Sequence, residues 1–380
     1  MFTAYSITLI IVALFVIILS MFETDAFNVE FISFGQTRII RLKYVICAIL
    51  FTVFGICIKN SYDIGNYRWA YEQRLSHGKE PLFDTIRFFL RDRGVSFETF
   101  RILWILVVAL LLYIGIRKYC KVPEQVVALT LVLVLFSFIT QMRSALTFAV
   151  ILNAFSLLFT GRRTDKLLYA LIVILCGQIH IVSYVFLLFL IVRADGSRSY
   201  KGKYFVIVGL FTFVSLLMNT FMVDIVSAVL GFIPGGESIA RRIISNISGV
   251  GAPIKSAIFN ICKQLVLFIL TDRACAMLIE EAPVGKKSMY RVISEINTLS
   301  LVFIPICIVN EAFMRLFNPI AILQYSMILN VGHNRTEITK NLGFDVTMKT
   351  TIVCFTLFVL FMSIRGNPDD FVIIMSSIRW

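Results

Sequence analysis

The chain has 380 residues, of which 58% are hydrophobic and only 16% charged, with 35 Phe and a mean hydropathy of +0.87. That balance leaves too little polar surface to cover a water-soluble globule, so the class expected is an integral membrane protein. The formal net charge of +13 comes from 36 Lys and Arg against 23 Asp and Glu, and its distribution bears on orientation.

In chain order the apolar runs are Ala4–Met21, Leu42–Ile58, Ile102–Ile116, Val122–Thr140, Ser144–Thr160 and Leu167–Val192. They continue as Tyr204–Val223, Ala257–Leu270, Leu299–Asn310, Leu316–Val331 and Thr351–Ile364. A helix crosses the hydrocarbon core with about 20 apolar residues, or about 17 at the short end, and several runs fall below that. Leu167–Val192 has 26 residues, about 39 Å as one helix and enough for a tilted span. Both of its flanks, Gly161–Lys166 and Arg193–Lys203, are rich in Lys and Arg, the mark of cytoplasmic loops. The run therefore reads as two short helices turning near Gly177-Gln178-Ile179-His180.

The fold class expected is all-α: a polytopic membrane protein of about 12 transmembrane helices, several short or re-entrant, with an outside N-terminus. The whole chain, 1–380, reads as one membrane domain. Loops assigned to the cytoplasm carry 20 of the 36 basic residues. Lys59–Arg101 holds eight more on the opposite side; long loops weigh less in the positive-inside rule, and an anionic partner is the natural explanation for a basic outer loop. The first run lacks a basic n-region and a small-x-small cleavage site, so it reads as a retained helix. The eight Cys form no CxxC and read as buried small hydrophobes.

Two outer segments, 59–100 and 224–255, are long enough to lie over a cavity with amphipathic helices. Pro81–Arg91 has apolar residues at helical spacing with arginines between them and is expected along the membrane surface. Pro234-Gly235-Gly236-Glu237 precedes Arg241 and Arg242; a glycine turn before a basic helix suits phosphate, although no GxxxxGK[ST] pattern is present. A capping loop with solvated arginines is the plainer reading of that segment.

The ionisable residues between apolar runs are the candidates for chemistry. Arg143, in Gln141–Leu146, sits at the outer turn of a helical hairpin, where an unpaired charge calls for an anion, water or lipid phosphate. His180 follows Gly177-Gln178 at a helix junction, as a proton acceptor, a phosphate partner when protonated, or a hydrogen-bonded core residue. Arg315 lies at another outer turn, with Glu311 four residues earlier on the same α-helical face; that spacing fits a structural ion pair or an arginine oriented toward phosphate. Asp63, Tyr67 and Tyr71 follow the second run, either as an aromatic belt or as a carboxylate among aromatics suited to sugar hydroxyls.

Asp63 with Tyr67 and Tyr71, Glu80-Pro81-Leu82-Phe83, Arg143-Ser144-Ala145-Leu146, His180-Ile181-Val182-Ser183, and Phe313-Met314-Arg315-Leu316 with Tyr325 resemble, in order and spacing, the EpsG family of Wzy-type exopolysaccharide and O-antigen polymerases. The resemblance runs through most of the chain. Two departures stand out: Asp63-Ile64-Gly65-Asn66-Tyr67 replaces the commoner Asp-Tyr or Asp-Trp start, and Ser183 is one residue late for His-x-Ser and is given no role.

The resemblance implies a multi-pass enzyme of the bacterial inner membrane with its active site facing the periplasm or cell exterior. It would move a growing glycan from undecaprenyl pyrophosphate to the next lipid-linked repeat unit, with no metal, cofactor or nucleic acid expected and a chain-length regulator as a further partner. Attack on an anomeric carbon needs a proton acceptor, and pyrophosphate departure needs cations. On this reading Arg143 and Arg315 bind pyrophosphate, Arg241 or Arg242 adds a second clamp, Glu311 orients Arg315, Tyr67 and Tyr71 meet sugar, and His180 or Asp63 is the base. A lipid-linked oligosaccharide flippase is the alternative; it would line a path open to both faces with its arginines, usually between two pseudo-symmetric halves. A membrane O-acyltransferase would also use an intramembrane His, but on a cytoplasmic path.

Overall fold

The computed structural model describes residues 28–33, 36–59, 61–76, 80–133, 141–193, 204–215, 254–309 and 311–334. The run Ala4–Met21, residues 216–253 with Arg241 and Arg242, and the run Thr351–Ile364 lie outside the described residues. The chain divides into two compact units, 1–190 with 325–380, and 191–324.

Among the described residues the all-α expectation holds except at one two-stranded hairpin. Asn28–Ser33 (β1) and Gln36–Arg41 (β2) form an antiparallel hairpin in register Asn28↔Arg41. Val29 is registered against Ile40, and Val29, Phe31, Ile32, Ile39 and Ile40 supply the β-branched and aromatic residues that favour strands.

The first unit continues with α1 (Leu42–Cys57), α2 (Tyr62–Glu72), α3 (Pro81–Asp92), α4 (Phe97–Tyr119), α5 (Pro123–Leu133), α6 (Met142–Ala154) and α7 (Arg163–Ile179). A 3₁₀ segment, Phe155–Thr160, prolongs α6, and another, Ile181–Ile191, follows α7. Ser96 opens α4 by accepting the Thr99 amide at 3.2 Å, and Gly161, at φ 67°, closes the α6 extension in the left-handed region that glycine favours.

Helices α4 and α6 run in the same direction. Trp104 Nε1 donates to Met142 O at 2.7 Å near their starts, and Gly115 meets Leu152 near their ends, where an added Cβ would fall 2.8 Å from Leu152 Cδ2. Asn153 crosses the same seam, donating to Leu111 O at 2.7 Å. Small residues and side-chain amides between apolar helices are how membrane helices approach closely. Phe97–Tyr119 and Met142–Thr160 are both long and apolar enough to cross a membrane.

The run Leu167–Val192 does fold back. Tyr169 donates to Phe186 O at 2.9 Å, Lys166 Nζ to Leu190 O at 3.0 Å, and Gln178 to Tyr184, an antiparallel pairing about His180. A Cβ on Gly177 would lie 2.4 Å from the Tyr184 ring, so this position must be glycine for the two arms to meet. Seventeen α-helical residues and eleven 3₁₀ residues rise about 25 Å and about 22 Å. The arms are thus nearly equal in height, and neither is a full span on its own.

The second unit contains α8 (Tyr204–Ser215), α9 (Ile254–Glu281), α10 (Val284–Leu299), α11 (Phe303–Val309) and the start of α12 (Asn318–Asn334), with 3₁₀ turns at Ser300–Val302 and Glu311–Phe317. Asn297 donates to Phe268 O at 3.1 Å and Ser294 to Asp272 at 3.0 Å, making α9 and α10 an antiparallel pair. Here the structure departs from the expected loop. Arg273 lies within α9, and Lys286, Lys287 and Arg291 lie within α10, part of a membrane-capable helix Gly285–Cys307. Helix α10 tolerates these charges because Tyr290, Ile293, Ile296 and Asn297 bury one face.

Candidate functional site

The site starts on α2. Ser61 Oγ accepts the Ile64 amide at 3.1 Å as its N-cap, placing Asp63 in the first turn, Tyr67 one turn on and Tyr71 another turn on. Tyr71 is committed to packing: its hydroxyl donates to Val95 O at 2.8 Å and its ring stacks on Phe100 at 5.2 Å. Tyr67 instead accepts a bond from Arg143 Nε at 3.0 Å. Burial raises the Tyr67 hydroxyl pKa, the Arg143 charge and hydrogen bond lower it, Asp63 and Glu80 add to the rise, and the net direction is upward. The phenol therefore stays neutral.

Arg143 is the second residue of α6, its position fixed by the Trp104 bond to the preceding carbonyl. The guanidinium carbon lies 5.3 Å from the Tyr67 ring centre and 5.8 Å from that of Phe83. Its counter-charge is internal: Nη1 pairs with Glu80 Oε2. The expected need for an outside anion or water is thus met by a carboxylate of the same chain, leaving 24% of the side chain exposed.

Glu80 is the residue that the sequence reading left without a role. It is the N-cap of α3, with Pro81 at N1, yet its side chain makes no capping bond to its own helix. It is 3% exposed. Oε1 lies 2.9 Å from His180 Nδ1 and accepts the Ile181 amide at 3.3 Å, while Oε2 takes Arg143. Burial pushes its carboxyl up, but the His180 hydrogen bond and the Arg143 charge and hydrogen bond outweigh that and hold it below its ordinary value. An ionised carboxylate only accepts, so Nδ1 must carry the proton in that bond. His180 is 7% exposed, and its other nitrogen, Nε2, is buried without a hydrogen-bond partner among the described residues.

One helix junction, one helix start and one loop therefore converge. The structure brings Tyr67, Arg143 and His180 together through Glu80, with Asp63 a turn from Tyr67. Arg315 belongs to the second unit, where Glu311–Phe317 is a 3₁₀ turn rather than an α-helix.

The basic outer segment also has an internal explanation. Arg101, 1% exposed, donates to Gly55 O, Ile56 O and Ile58 O at 3.3, 2.8 and 2.8 Å, closing the C-terminal end of α1 as cations do. Arg68 pairs with Glu98, Arg74 with Asp92 and Arg87 with Asp84, while Arg91 donates to Glu72 O and Arg93 lies over Phe89. Arg68, Arg74, Arg87 and Arg101 are thus paired with carboxylates of the same segment.

A cavity of about 790 Å³ lies along α1 and the far end of α4, lined by Ala48, Ile49, Val53, Tyr113, Arg117 and Lys121. It is mainly apolar, so size alone does not make it the chemical site; convergence of ionisable groups does. Among the described residues no group of three or more His, Cys, Asp and Glu gathers as metal ligands would.

These features define a helical membrane protein in which a carboxylate, an imidazole and a guanidinium are assembled at one end of the helices that carry them. The chain belongs to the EpsG family, whose family model matches residues 42–375. That family is membrane-associated and associated with polysaccharide polymerase activity. No curated protein and no solved structure matches the chain.

Proposed function

We propose that the protein polymerises oligosaccharide repeat units carried on undecaprenyl pyrophosphate, at the outer face of the bacterial inner membrane. The growing glycan passes to a sugar hydroxyl of the incoming unit. The observation that carries this reading is His180: its Nδ1 is held by Glu80 while its buried Nε2 has no hydrogen-bond partner among the described residues, as a general base requires. In the proposed step the acceptor oxygen bonds to the anomeric carbon as the bond from that carbon to the pyrophosphate oxygen breaks. The acceptor proton goes to Nε2, the bonding electrons leave with pyrophosphate, and the centre inverts. Arg143, through the exposed part of its guanidinium, stabilises charge on the departing oxygens.

Glu80 neutralises much of the charge of Arg143, so pyrophosphate calls for further cations. Arg315 and Arg241 or Arg242 are the proposed contributors, with Glu311 beside Arg315. Asp63 and Tyr67 are proposed to meet acceptor sugar hydroxyls. Tyr71, with its hydroxyl bonded to Val95 O, is proposed to support the sugar site by packing.

The test is complementation of a polymerase-deleted strain with His180→Ala and Arg143→Ala, read as glycan ladder length. At normal protein level both variants are expected to leave single repeat units outside the cell. Long polymer from both refutes the assignment, and loss of even single units outside points to the flippase.

A further inference from the structure

A carboxylate that joins a base to a cation is positioned to decide which nitrogen of the base is bare. We propose that Glu80 is the positioning residue of this site, fixing His180 in the Nδ1–H tautomer and holding Arg143 beside it through one carboxylate. The role assigned to His180 rests on the polymerase reading; the tautomer assignment stands on geometry alone.

Three donors meet the two oxygens of Glu80. His180 Nδ1 at 2.9 Å and the Ile181 amide at 3.3 Å share Oε1, and Arg143 takes Oε2. The Ile181 amide is the first of the 3₁₀ segment and would otherwise be one of the orphan donors of a helix start. Glu80 therefore caps a segment that begins 101 residues later and leaves its own helix uncapped. It cannot be replaced there by a residue that donates. His180 is fixed on its other side by Phe148, edge-on at 6.4 Å, so the ring has little freedom to turn and exchange its nitrogens.

Glutamine preserves the shape and removes this logic. With its NH₂ toward His180, it faces the Ile181 amide donor to donor and donates to Nδ1, which moves the proton to Nε2 and blocks the base. With its NH₂ toward Arg143 it would keep the Nδ1–H tautomer, but it would set its own donors against those of a cation, a costlier clash than meeting one backbone amide, so the first orientation is the one expected. Either orientation leaves a mismatch that the carboxylate avoids. Changing the tautomer of a histidine while keeping its position is a known way for one carboxylate-to-amide change to stop general-base catalysis.

The experiment uses the full chain in nanodiscs with ¹⁵N-labelled histidine. Three His occur in the sequence, and His180→Gln identifies the signal of interest. The wild type is expected to show a protonated Nδ1 and a bare Nε2, and Glu80→Gln to shift population to Nε2–H. An unchanged His180 tautomer in Glu80→Gln overturns the proposal. Should that variant fail to fold, Glu80→Asp carries the test: it keeps the charge, shortens the reach, and is expected to give a mixed signal, with an unchanged one again overturning it.

With single-repeat lipid extracted from a polymerase-deleted strain as the probe, Glu80→Gln is expected to lose roughly 10²-fold or more in kcat with little change in KM, and Glu80→Asp to recover part of it. A loss confined to KM contradicts the positioning role. The two readings fail separately: polymer surviving His180→Ala removes the base and leaves the tautomer result intact, whereas an unmoved tautomer removes Glu80 and leaves His180 standing.

Discussion

The buried face of α3 carries two carboxylates one turn apart, and they are used in opposite ways. Asp84 works locally: Arg87, three residues on, pairs with it at 2.9 Å, and Ser76 donates to it at 2.6 Å. Glu80 reaches partners 63 and 100 residues away. Both acids are buried and both face an arginine. Arg87 is 1% exposed and has no hydrogen-bonded guanidinium nitrogen, so its desolvation is offset by the Asp84 charge and by the faces of Phe88 and Phe83 at 4.8 and 5.8 Å. Arg143 keeps contact with solvent. The comparison separates a clamp that closes a helix against its own loop from a contact that assembles a site out of distant chain, and only the second leaves a polar atom of a third residue bare.

The comparison breaks most visibly if the two acids are exchanged in effect. Asp84→Ala is expected to cost about 3 kcal/mol or more, because it strands a buried guanidinium. Thermal unfolding in detergent checks it, and the activity of the fraction that remains folded should be close to normal. If folded Asp84→Ala is as inactive as the Glu80 variants, the division between clamp and site is wrong.

A smaller effect separates them by pH. Because the Glu80 carboxyl is held below its ordinary value in the folded protein, its ionised form stabilises the fold above the unfolded-state pKa. That contribution disappears as pH falls through the folded pKa. The stability difference between wild type and Glu80→Gln is therefore expected to be full near neutral pH and to shrink on acidification below the ordinary carboxylate range. Unfolding midpoints measured across that range would show a constant gap if Glu80 were not the titrating group.

The smallest effect sharpens the geometry. Tyr67→Phe removes the acceptor for Arg143 Nε and keeps the ring, so it is expected to cost about 1 to 2 kcal/mol, read as roughly 5- to 30-fold in kcat/KM. An unchanged rate would mean that Glu80 alone holds Arg143.

Much of this was legible in the sequence. The break at His180 followed from basic flanks on both sides of one apolar run, and Arg143 and Tyr67 stood out as polar residues at helix edges. Glu80 did not, because an acid before Pro81 at the start of an amphipathic helix looks like an ordinary solvated helix start; its partners are distant in sequence, and no local pattern encodes them. Arg101 was hidden for the same reason, counted as loop charge although it closes α1. The α10 helix escaped because hydropathy averages over a segment whose apolar residues lie on one face. The β1–β2 hairpin is not legible from hydropathy because its strands are only six residues each and mix polar with apolar side chains.

The folded-back pair of α7 and Ile181–Ile191 is fastened at both extremities, by Lys166 to Leu190 O at the open end and by Glu80 to His180 and Ile181 at the bend. Between these latches Gly177 and Tyr184 leave no slack. Sliding one arm past the other would break the bonds at Lys166, Tyr169, Gln178 and His180 together, so the height of the imidazole is tied to the register of the whole pair.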